Sequence, residues 1–193
     1  RTWGIPTMGT AAHSFTLLHD SEEDAFRAQV AALGSGTTLL VDTYDVTAAV
    51  DLAVRVAGTS LGAVRIDSGD LPGQAAAVRK QLDELGATNT KITVTSDLDE
   101  FAIAALQVAP VDSYGVGTSV VTGSGAPTAG MVYKLVARTG ADGEWVSVAK
   151  TSAAKLSVGG RKFPVRSVKG GIATAEVLHV EDGPDSASDG VDA

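Results

Sequence analysis

Four short segments of the sequence combine acidic residues with hydroxyl residues or glycines, the types that bind anions and metal ions. They are DTYD at 42–45, DSGD at 67–70, TSDLDE at 95–100 and DSYGVGTS at 112–119. Each is predicted to lie where a strand ends. For any single aspartate, capping of the next helix is an equally good explanation. Four acidic strand ends at one rim favour a divalent cation, such as Mg²⁺ carried by a substrate phosphate and bound through water.

The last of these segments contains a glycine loop directly after a predicted strand. In Gly115-Val116-Gly117-Thr118-Ser119 the glycines would let backbone N–H groups approach a phosphate, and the two hydroxyls would add donors. The loop is neither a P-loop nor a dinucleotide-binding fingerprint. A phosphate site and an ordinary tight turn are therefore both open at this point.

Two further side chains could contact an anion. Arg65 lies in the middle of a predicted strand, on its polar face, where a guanidinium needs a negative partner. That partner is either an aspartate such as Asp67, in an internal salt bridge, or the carboxylate or phosphate of a ligand. His13 stands in MGTAAHSF, where small residues and hydroxyls leave room for a phosphate, whereas His19 and His179 have no such surroundings.

The elements that must position these side chains alternate between strand and helix from residue 4 to about residue 118. Strands are predicted at 37–42, 63–67, 91–96 and 111–115, and apolar residues recur at helical spacing at 26–33, 46–57, 71–85 and 101–108. This alternation means parallel strands joined by helical crossovers, in about five units.

Capping residues mark the ends of the predicted helices. Ser21 and Ser96, each with an acidic residue three positions on, are predicted N-caps. Gly34, Gly58 and Gly86 stand where helices should stop.

The two faces of the predicted strands distinguish two α/β folds. Val64 and Ile66 point to one side of their strand and Arg65 and Asp67 to the other, and ITVT at 92–95 alternates in the same way. A doubly wound sheet is apolar on both faces, whereas a barrel can be polar inside near its active site. The alternation therefore favours a (β/α) barrel over an open sheet. The barrel would be partial, because a complete one needs about 250 residues.

After residue 122 the pattern changes to that of antiparallel strands. They are predicted at 131–138, 144–149, 161–168 and 173–180, with a mobile or ligand-facing loop at 151–160. Residues 181–193 are acidic and lack apolar anchors, which predicts a disordered tail. The predicted organisation is a partial α/β barrel over 1–122, a β-rich segment over 123–180 and the tail.

Composition narrows the functional classes. The net charge of −8 argues against a broad grip on nucleic acid or an anionic membrane. The chain has no cysteine, so disulfides, thiol nucleophiles and cysteine-bound metals are excluded, which suits a cytoplasmic protein. No apolar run reaches the roughly 18–20 residues of a membrane span, and no signal peptide opens the chain.

Several motifs in order resemble nicotinate phosphoribosyltransferase. They are GTAAHSF, VRIDSGDL, VTSDLDE, and SYGVGTSVVTG followed by GMVYKLV. The resemblance implies the irregular (β/α) barrel of type II phosphoribosyltransferases, with an accessory domain that includes C-terminal strands. It implies that nicotinate and phosphoribosyl pyrophosphate (PRPP) give nicotinate mononucleotide and pyrophosphate in NAD biosynthesis, coupled to ATP hydrolysis through a phosphohistidine and requiring Mg²⁺. The alternatives are another enzyme of this fold, acting on nicotinamide or quinolinate, and a non-catalytic fragment.

The resemblance also assigns roles to the residues around the first two motifs. His13 is similar to the histidine that ATP phosphorylates. Thr10 and Arg65 are similar to residues that contact nicotinate, and Arg65 would pair with its carboxylate and select the acid over the amide. Asp67, in a motif near the ribose, is expected to take part in catalysis.

The remaining carried-over roles concern PRPP. Thr118, with Gly117 and Ser119 beside it, is similar to the residue that binds the 5′-phosphate, and Asp97 lies in a motif near Mg²⁺ and pyrophosphate. The family also has an N-terminal region, with an aromatic residue that stacks on the pyridine ring and further barrel strands. The sequence lacks these, so a second polypeptide is expected to supply them, and the resemblance implies a homodimer.

Overall fold

The structure, a computed structural model, describes residues 2–4, 9–123, 128–152 and 156–181. The chain divides into two compact units. The first comprises Arg1–Val132 and Thr151–Leu156, and the second comprises Tyr133–Lys150 and Ser157–Ala193. The first unit extends past residue 122, where the sequence placed the boundary. The predicted tail lies outside the described residues, apart from residue 181.

A parallel four-stranded sheet forms the centre of the first unit. Its strands are β1 (Thr38–Leu40), β2 (Ala63–Ile66), β3 (Lys91–Val94) and β4 (Ser113–Tyr114), and they lie in the order β1-β2-β3-β4. The α/β class and the parallel pairing are confirmed. The part of the chain that the structure describes holds four such strands, rather than the five units expected.

Six helices accompany the sheet. They are α1 (His13–Leu17), α2 (Glu22–Leu33), α3 (Val46–Ala57), α4 (Leu71–Glu84), α5 (Glu100–Leu106) and α6 (Thr118–Thr122). Helices α3, α4 and α5 each connect two consecutive strands. Of the helices within the described ranges, none is long and apolar enough to cross a membrane.

Aspartates cap the three connecting helices. Asp45, Asp70 and Asp99 each accept a hydrogen bond from the backbone N–H three residues on. Ser21 caps α2 as predicted. The predicted cap at Ser96 is wrong, because the carboxylate of Asp99 takes the first-turn N–H and α5 begins only at Glu100.

Glycines end three helices as predicted, in two ways. Gly34 and Gly58 are the C-caps of α2 and α3, at φ of 82° and 78°. Gly86, at φ 76°, lies one residue past the C-cap of α4. Its N–H donates to Asp83 O at 3.1 Å and the Ala87 N–H donates to Leu82 O at 2.8 Å, which is a Schellman motif.

The core of the first unit gathers the apolar side chains of the sheet and the connecting helices. Its members include Leu39, Val41, Val64, Ile66, Ile92 and Val94 from the strands and Ala49, Val50, Ala53, Ala75, Val78 and Leu82 from α3 and α4. Arg65 and Asp67, which alternate with Val64 and Ile66, are only partly buried. The two-faced pattern read from β2 is therefore confirmed.

The second unit consists of two antiparallel pairs. β5 (Ala137–Thr139) pairs with β6 (Trp145–Ser147), and β7 (Arg161–Lys169) pairs with β8 (Ile172–Glu181). The predicted strands at 131–138 and 144–149 are thus much shorter, because β5 and β6 offer each other a ladder of only three residues. Of the predicted loop at 151–160, residues 153–155 lie outside the described ranges.

Candidate active site

The carboxyl ends of β1 and β2 bring a histidine, an arginine and two aspartates together. Arg65 lies in β2 and Asp67 follows it, whereas Asp42 follows β1. Because β1 and β2 are adjacent and parallel, Asp42 and Asp67 leave the sheet side by side, and the Asp67 N–H donates to Asp42 Oδ2 at 3.1 Å. His13, the first residue of α1, reaches the same place from outside the sheet.

Arg65 is held by neighbours on three sides. Its Nε donates to Thr95 Oγ1 at 2.8 Å and its Nη2 donates to Asp67 Oδ1 at 3.0 Å. Its Nη1 donates to Thr10 Oγ1 and, at 3.2 Å, to Ala11 O. The internal salt bridge considered from the sequence is therefore present. One Nη2 proton has no acceptor among the described residues, which leaves a donor for an anionic ligand.

The surroundings of Asp67 keep its carboxylate ionised. Its partial burial acts to raise its pKa, but His13 and the hydrogen bonds from Thr95 and Arg65, with the charge of Arg65, hold the pKa well below the ordinary value. The carboxylate thus stays negative at neutral pH beside the guanidinium. It also faces the histidine, since His13 Nε2 lies 3.6 Å from Asp67 Oδ2.

His13 lies between two carboxylates and a hydroxyl. Its Nε2 is 3.6 Å from Asp42 Oδ1 as well as from Asp67 Oδ2, and its Nδ1 is 3.1 Å from Thr43 Oγ1. The side chain keeps 21% of its surface exposed, so a ligand can reach the ring. A partly exposed imidazole with both nitrogens oriented is suited to nucleophilic or acid–base chemistry.

The sequence assigned no role to Asp42, which lies at this site, or to Glu22, which lies near Asp42. Asp42, only 1% exposed, also accepts a hydrogen bond from Ser68 Oγ at 2.8 Å. Burial raises the pKa of Glu22 to about 7, and the nearby charges of Asp45 and Asp42 add to this. Asp42 belongs to the DTYD segment that the sequence marked as a polar strand end, whereas Glu22 looked like an ordinary first-turn residue of a helix.

A cavity of about 770 Å³ shares one residue, Asp42, with the surroundings of His13. Its wall includes Asp42, Tyr44, Ser68, Asp70 and Gln74, from the segments that follow β1 and β2. Asp42 therefore connects the wall of this cavity to His13, whose Nε2 lies 3.6 Å from Asp42 Oδ1. Its volume is sufficient for a small-molecule ligand.

Three of the four residues predicted to bind PRPP line a second cavity. Asp97, Thr118 and Ser119 line this space of about 560 Å³, together with Phe101 of α5 and residues 128–132. Gly117 is the N-cap of α6 and stands directly before Thr118. The structure therefore brings three of the four residues to one cavity, and their phosphate-binding role stays a prediction.

The described side chains alone would supply few ligands to a metal ion. Within the described residues, no group of three or more histidine and acidic side chains is placed to hold a metal ion. The oxygens present at the two cavities, from carboxylates and hydroxyls, are of the kind that Mg²⁺ prefers. They are suited to a cation that brings most of its own ligands.

The fold is similar to solved structures of two kinds. A nicotinate phosphoribosyltransferase from Porphyromonas gingivalis aligns with a TM-score of 0.69 at 20% identity, over 81% of this chain and 45% of that one. A nicotinate-nucleotide pyrophosphorylase from Pyrococcus furiosus aligns with a TM-score of 0.55 at 22% identity, over 93% and 44%. The chain is therefore an α/β protein with the parallel-sheet fold of these enzymes.

Sequence comparison identifies the family. No family model matches the sequence. A nicotinate phosphoribosyltransferase of Mycobacterium tuberculosis is 58% identical over 188 residues, which cover 93% of this chain and 41% of the relative. That of Bacillus subtilis is 39% identical over 178 residues, or 87% and 36%. The chain belongs to the nicotinate phosphoribosyltransferase family and spans about two fifths of the length of these relatives.

Proposed function

We propose that the protein to which this chain belongs is a nicotinate phosphoribosyltransferase of NAD biosynthesis. It joins nicotinate to PRPP, giving nicotinate mononucleotide and pyrophosphate, and couples this to hydrolysis of ATP to ADP and phosphate. The observation that carries the proposal is the convergence of Thr10, His13, Arg65 and Asp67 at one strand end, in a chain 58% identical to a relative of that name.

Arg65 is proposed to bind the carboxylate of nicotinate. A guanidinium pairs with a carboxylate through parallel N–H donors, which an amide cannot match in charge. Thr95 and Asp67 fix Nε and Nη2, and Thr10 lies against Nη1 as a second polar contact for the ligand. This arrangement supports selection of the acid over the amide.

Asp67 is proposed to act on the ribose. The new C–N bond forms at a ribosyl carbon with oxocarbenium character, so positioning and charge stabilisation dominate the catalysis. The lowered pKa of Asp67 keeps its carboxylate negative at the pH of the reaction. A fixed negative charge near the ribosyl carbon stabilises the positive charge that develops there.

His13 is proposed to accept the γ-phosphoryl group of ATP. A ring nitrogen attacks the phosphorus, ADP leaves, and the phosphohistidine is later hydrolysed to free histidine and phosphate. Thr43 holds Nδ1 and orients the ring, and the neighbouring cavity of about 770 Å³ offers room for the nucleotide. The added phosphoryl charge beside Asp42 and Asp67 would reorganise the site between steps of the cycle.

Mg²⁺ is proposed to enter with the substrate phosphates. When bound, the ion neutralises the charge of the leaving pyrophosphate. Asp97, on the wall of the second cavity, would hold its waters, while Thr118 and Ser119 bind the 5′-phosphate of PRPP with the backbone at Gly117. This division leaves most of the metal's ligands to phosphate and water.

The sheet is proposed to be one section of a (β/α) barrel. Its four strands follow chain order without a reversal, and right-handed crossovers then place all connecting helices on one face, as in a barrel. We further propose that the remaining strands and the stacking aromatic come from a second polypeptide, that the second unit is part of an accessory domain, and that the active enzyme is a cytoplasmic homodimer.

The test is an assay of the full-length enzyme for nicotinate mononucleotide formation with PRPP, ATP and Mg²⁺. Nicotinate should be converted much faster than nicotinamide or quinolinate, and labelled ATP should leave an acid-labile phosphate that is absent from His13→Ala. Preference for either other pyridine would overturn the substrate, and label that persists in His13→Ala would overturn the phosphohistidine. The 193-residue chain alone should be inactive, and activity should appear when a polypeptide carrying the part of the relatives that this chain does not span is added.

A further inference from the structure

Thr95 is the residue at which the arginine cluster meets the glycine loop. It directly follows β3, and its backbone N–H donates to Ile66 O of β2 at 2.9 Å. Its hydroxyl accepts a hydrogen bond from Arg65 Nε at 2.8 Å and donates its own proton to Asp67 Oδ1. A single hydroxyl therefore ties together the two residues assigned above to nicotinate and ribose.

The methyl group of Thr95 packs against the backbone of Gly115. A Cβ added at Gly115 would lie only 2.4 Å from Thr95 Cγ2, so the methyl occupies the space that a side chain at position 115 would need. The Gly115 N–H donates to Val94 O at 2.9 Å, which fixes the backbone beside that methyl. Threonine has few χ1 rotamers, so a methyl packed on Gly115 directs the hydroxyl toward Arg65 and Asp67.

The hydrogen bond from Thr95 controls the plane of the guanidinium. The Asp67 bond to Nη2 alone would let the group pivot, because one contact does not define a plane. The ligand carboxylate would accept from the remaining Nη2 proton, with Thr10 beside Nη1 as a second polar contact. Thr95 and Asp67 hold Nε and Nη2, so they keep Arg65 aligned when the ligand binds.

We propose that Thr95 is a positioning residue for Arg65, and that its contact with Gly115 makes the alignment of the carboxylate-binding guanidinium depend on the loop at 115–119. This inference rests on the proposed function, because it takes Arg65 to bind the carboxylate of the substrate. Thr95 touches no reacting atom. It acts on substrate binding through Arg65, while Gly115 acts through Thr95.

Kinetics of the full-length enzyme test the proposal with matched variants. Thr95→Val keeps the shape and removes the hydroxyl, so the KM for nicotinate should rise about tenfold with kcat changed less than about threefold. Discrimination against nicotinamide should fall in parallel. Thr95→Ser keeps the hydroxyl and should lie between Thr95→Val and wild type. Thr93→Val is the control, because the hydroxyl of Thr93, two residues earlier and within β3, is hydrogen-bonded to Ser113 Oγ at 2.8 Å and not to Arg65 or Asp67.

Gly115→Ala tests the second half of the proposal. It retains the Thr95 hydroxyl and Arg65 but displaces the Thr95 methyl, so the KM for nicotinate should again rise. A wild-type KM in Gly115→Ala would overturn the role of the loop. A wild-type KM in Thr95→Val, or an equal rise in Thr93→Val, would overturn the role of Thr95.

A spectroscopic readout separates this proposal from the assignment of the substrate. NMR of isotope-labelled arginine follows the Nε–H of Arg65, whose signal is assigned by its loss in Arg65→Lys. In Thr95→Val that signal should shift and exchange faster with water, and in Thr95→Ser it should persist. An unchanged signal in Thr95→Val overturns the positioning role. If wild type converts no nicotinate, the proposed function fails while this measurement still decides the role of Thr95.

Discussion

The Nδ1 atom of His13 lies 3.1 Å from the hydroxyl oxygen of Thr43, a residue with no exposed surface. The contact joins the first residue of α1 to the segment after β1, thirty positions along the chain. It sets the rotation of the imidazole, because the opposite nitrogen can then face Asp42 and Asp67. The nucleophilic edge of His13 is thus defined by a buried threonine.

Replacement of Thr43 should therefore impair the phosphohistidine step. Thr43→Val retains the shape of the side chain but removes the partner of Nδ1, and the rate of His13 phosphorylation by ATP should fall about tenfold. Thr43→Ser restores a hydroxyl and should recover most of the rate. Rapid-quench measurement of acid-labile phosphate checks both variants, and equal rates in wild type and Thr43→Val would contradict the orienting role.

Arg65→Lys should lower kcat/KM for nicotinate without a matching loss of protein stability. Lysine keeps one positive charge but lacks the planar fork, so kcat/KM for nicotinate should fall about 100-fold. Activity with nicotinamide should change little. Arg79→Lys is the matched control, since Arg79 donates to Asp83 and to backbone oxygens at the other end of β3. A comparable loss in Arg79→Lys would point to general destabilisation.

Glu22 should make stability fall as the pH rises toward neutrality. Its pKa of about 7 exceeds its ordinary 4.5, so between these values the folded state holds a proton that the unfolded state has released. The free energy of unfolding therefore decreases from about pH 4.5 to pH 7. Glu22→Gln removes this cost and should stabilise the protein at pH 8 by on the order of 1–2 kcal/mol, after solvent screening, with little change at pH 4.5.

The measurement is thermal or urea unfolding of both proteins at the two pH values. Glu23→Gln is the control, because Glu23 pairs with Arg27 on the surface of α2 and should give no gain at pH 8. A pH-independent difference between Glu22→Gln and wild type would contradict the assignment.

Gly62 should tolerate no side chain. A Cβ added there would lie 2.0 Å from the backbone oxygen of Gly36, and backbone cannot move aside as a flexible side chain can. Gly62→Ala should lose about 3 kcal/mol of stability, or roughly 6–12 °C in Tm. Gly36→Ala adds a Cβ with nothing within 4 Å and should melt close to wild type. Equal melting temperatures for the two variants would refute this prediction.

Local sequence signals were sufficient to predict the connecting helices and the parallel strands of the first unit. Apolar spacing and capping residues act within a few positions, so the connecting helices, the parallel strands and the stops at Gly34 and Gly58 could be predicted. The extent of the strand predicted at 131–138 could not, because strand length depends on a partner elsewhere in the chain. Only Ala137–Thr139 finds one among the described residues.

The aspartates show the same limit at the candidate site. Asp45, Asp70 and Asp99 are helix caps, whereas Asp42 and Asp67 face His13. All of them lie in segments that the sequence marked as polar strand ends. Which carboxylate caps and which faces inward depends on strand register. Contacts such as that of Thr95 with Gly115 leave no sequence signal, because they join residues twenty positions apart through a methyl group.

The close packing of the Thr95 methyl on Gly115 means that the residue type at one position limits the residue types allowed at the other. A side chain gained at 115 is compatible with the strand end only if the methyl at 95 is lost at the same time. Thr95→Ser should therefore partly restore the activity lost in Gly115→Ala, with the double variant more active than Gly115→Ala alone. Among homologues, the two positions are expected to covary, with larger residues at one accompanied by smaller residues at the other.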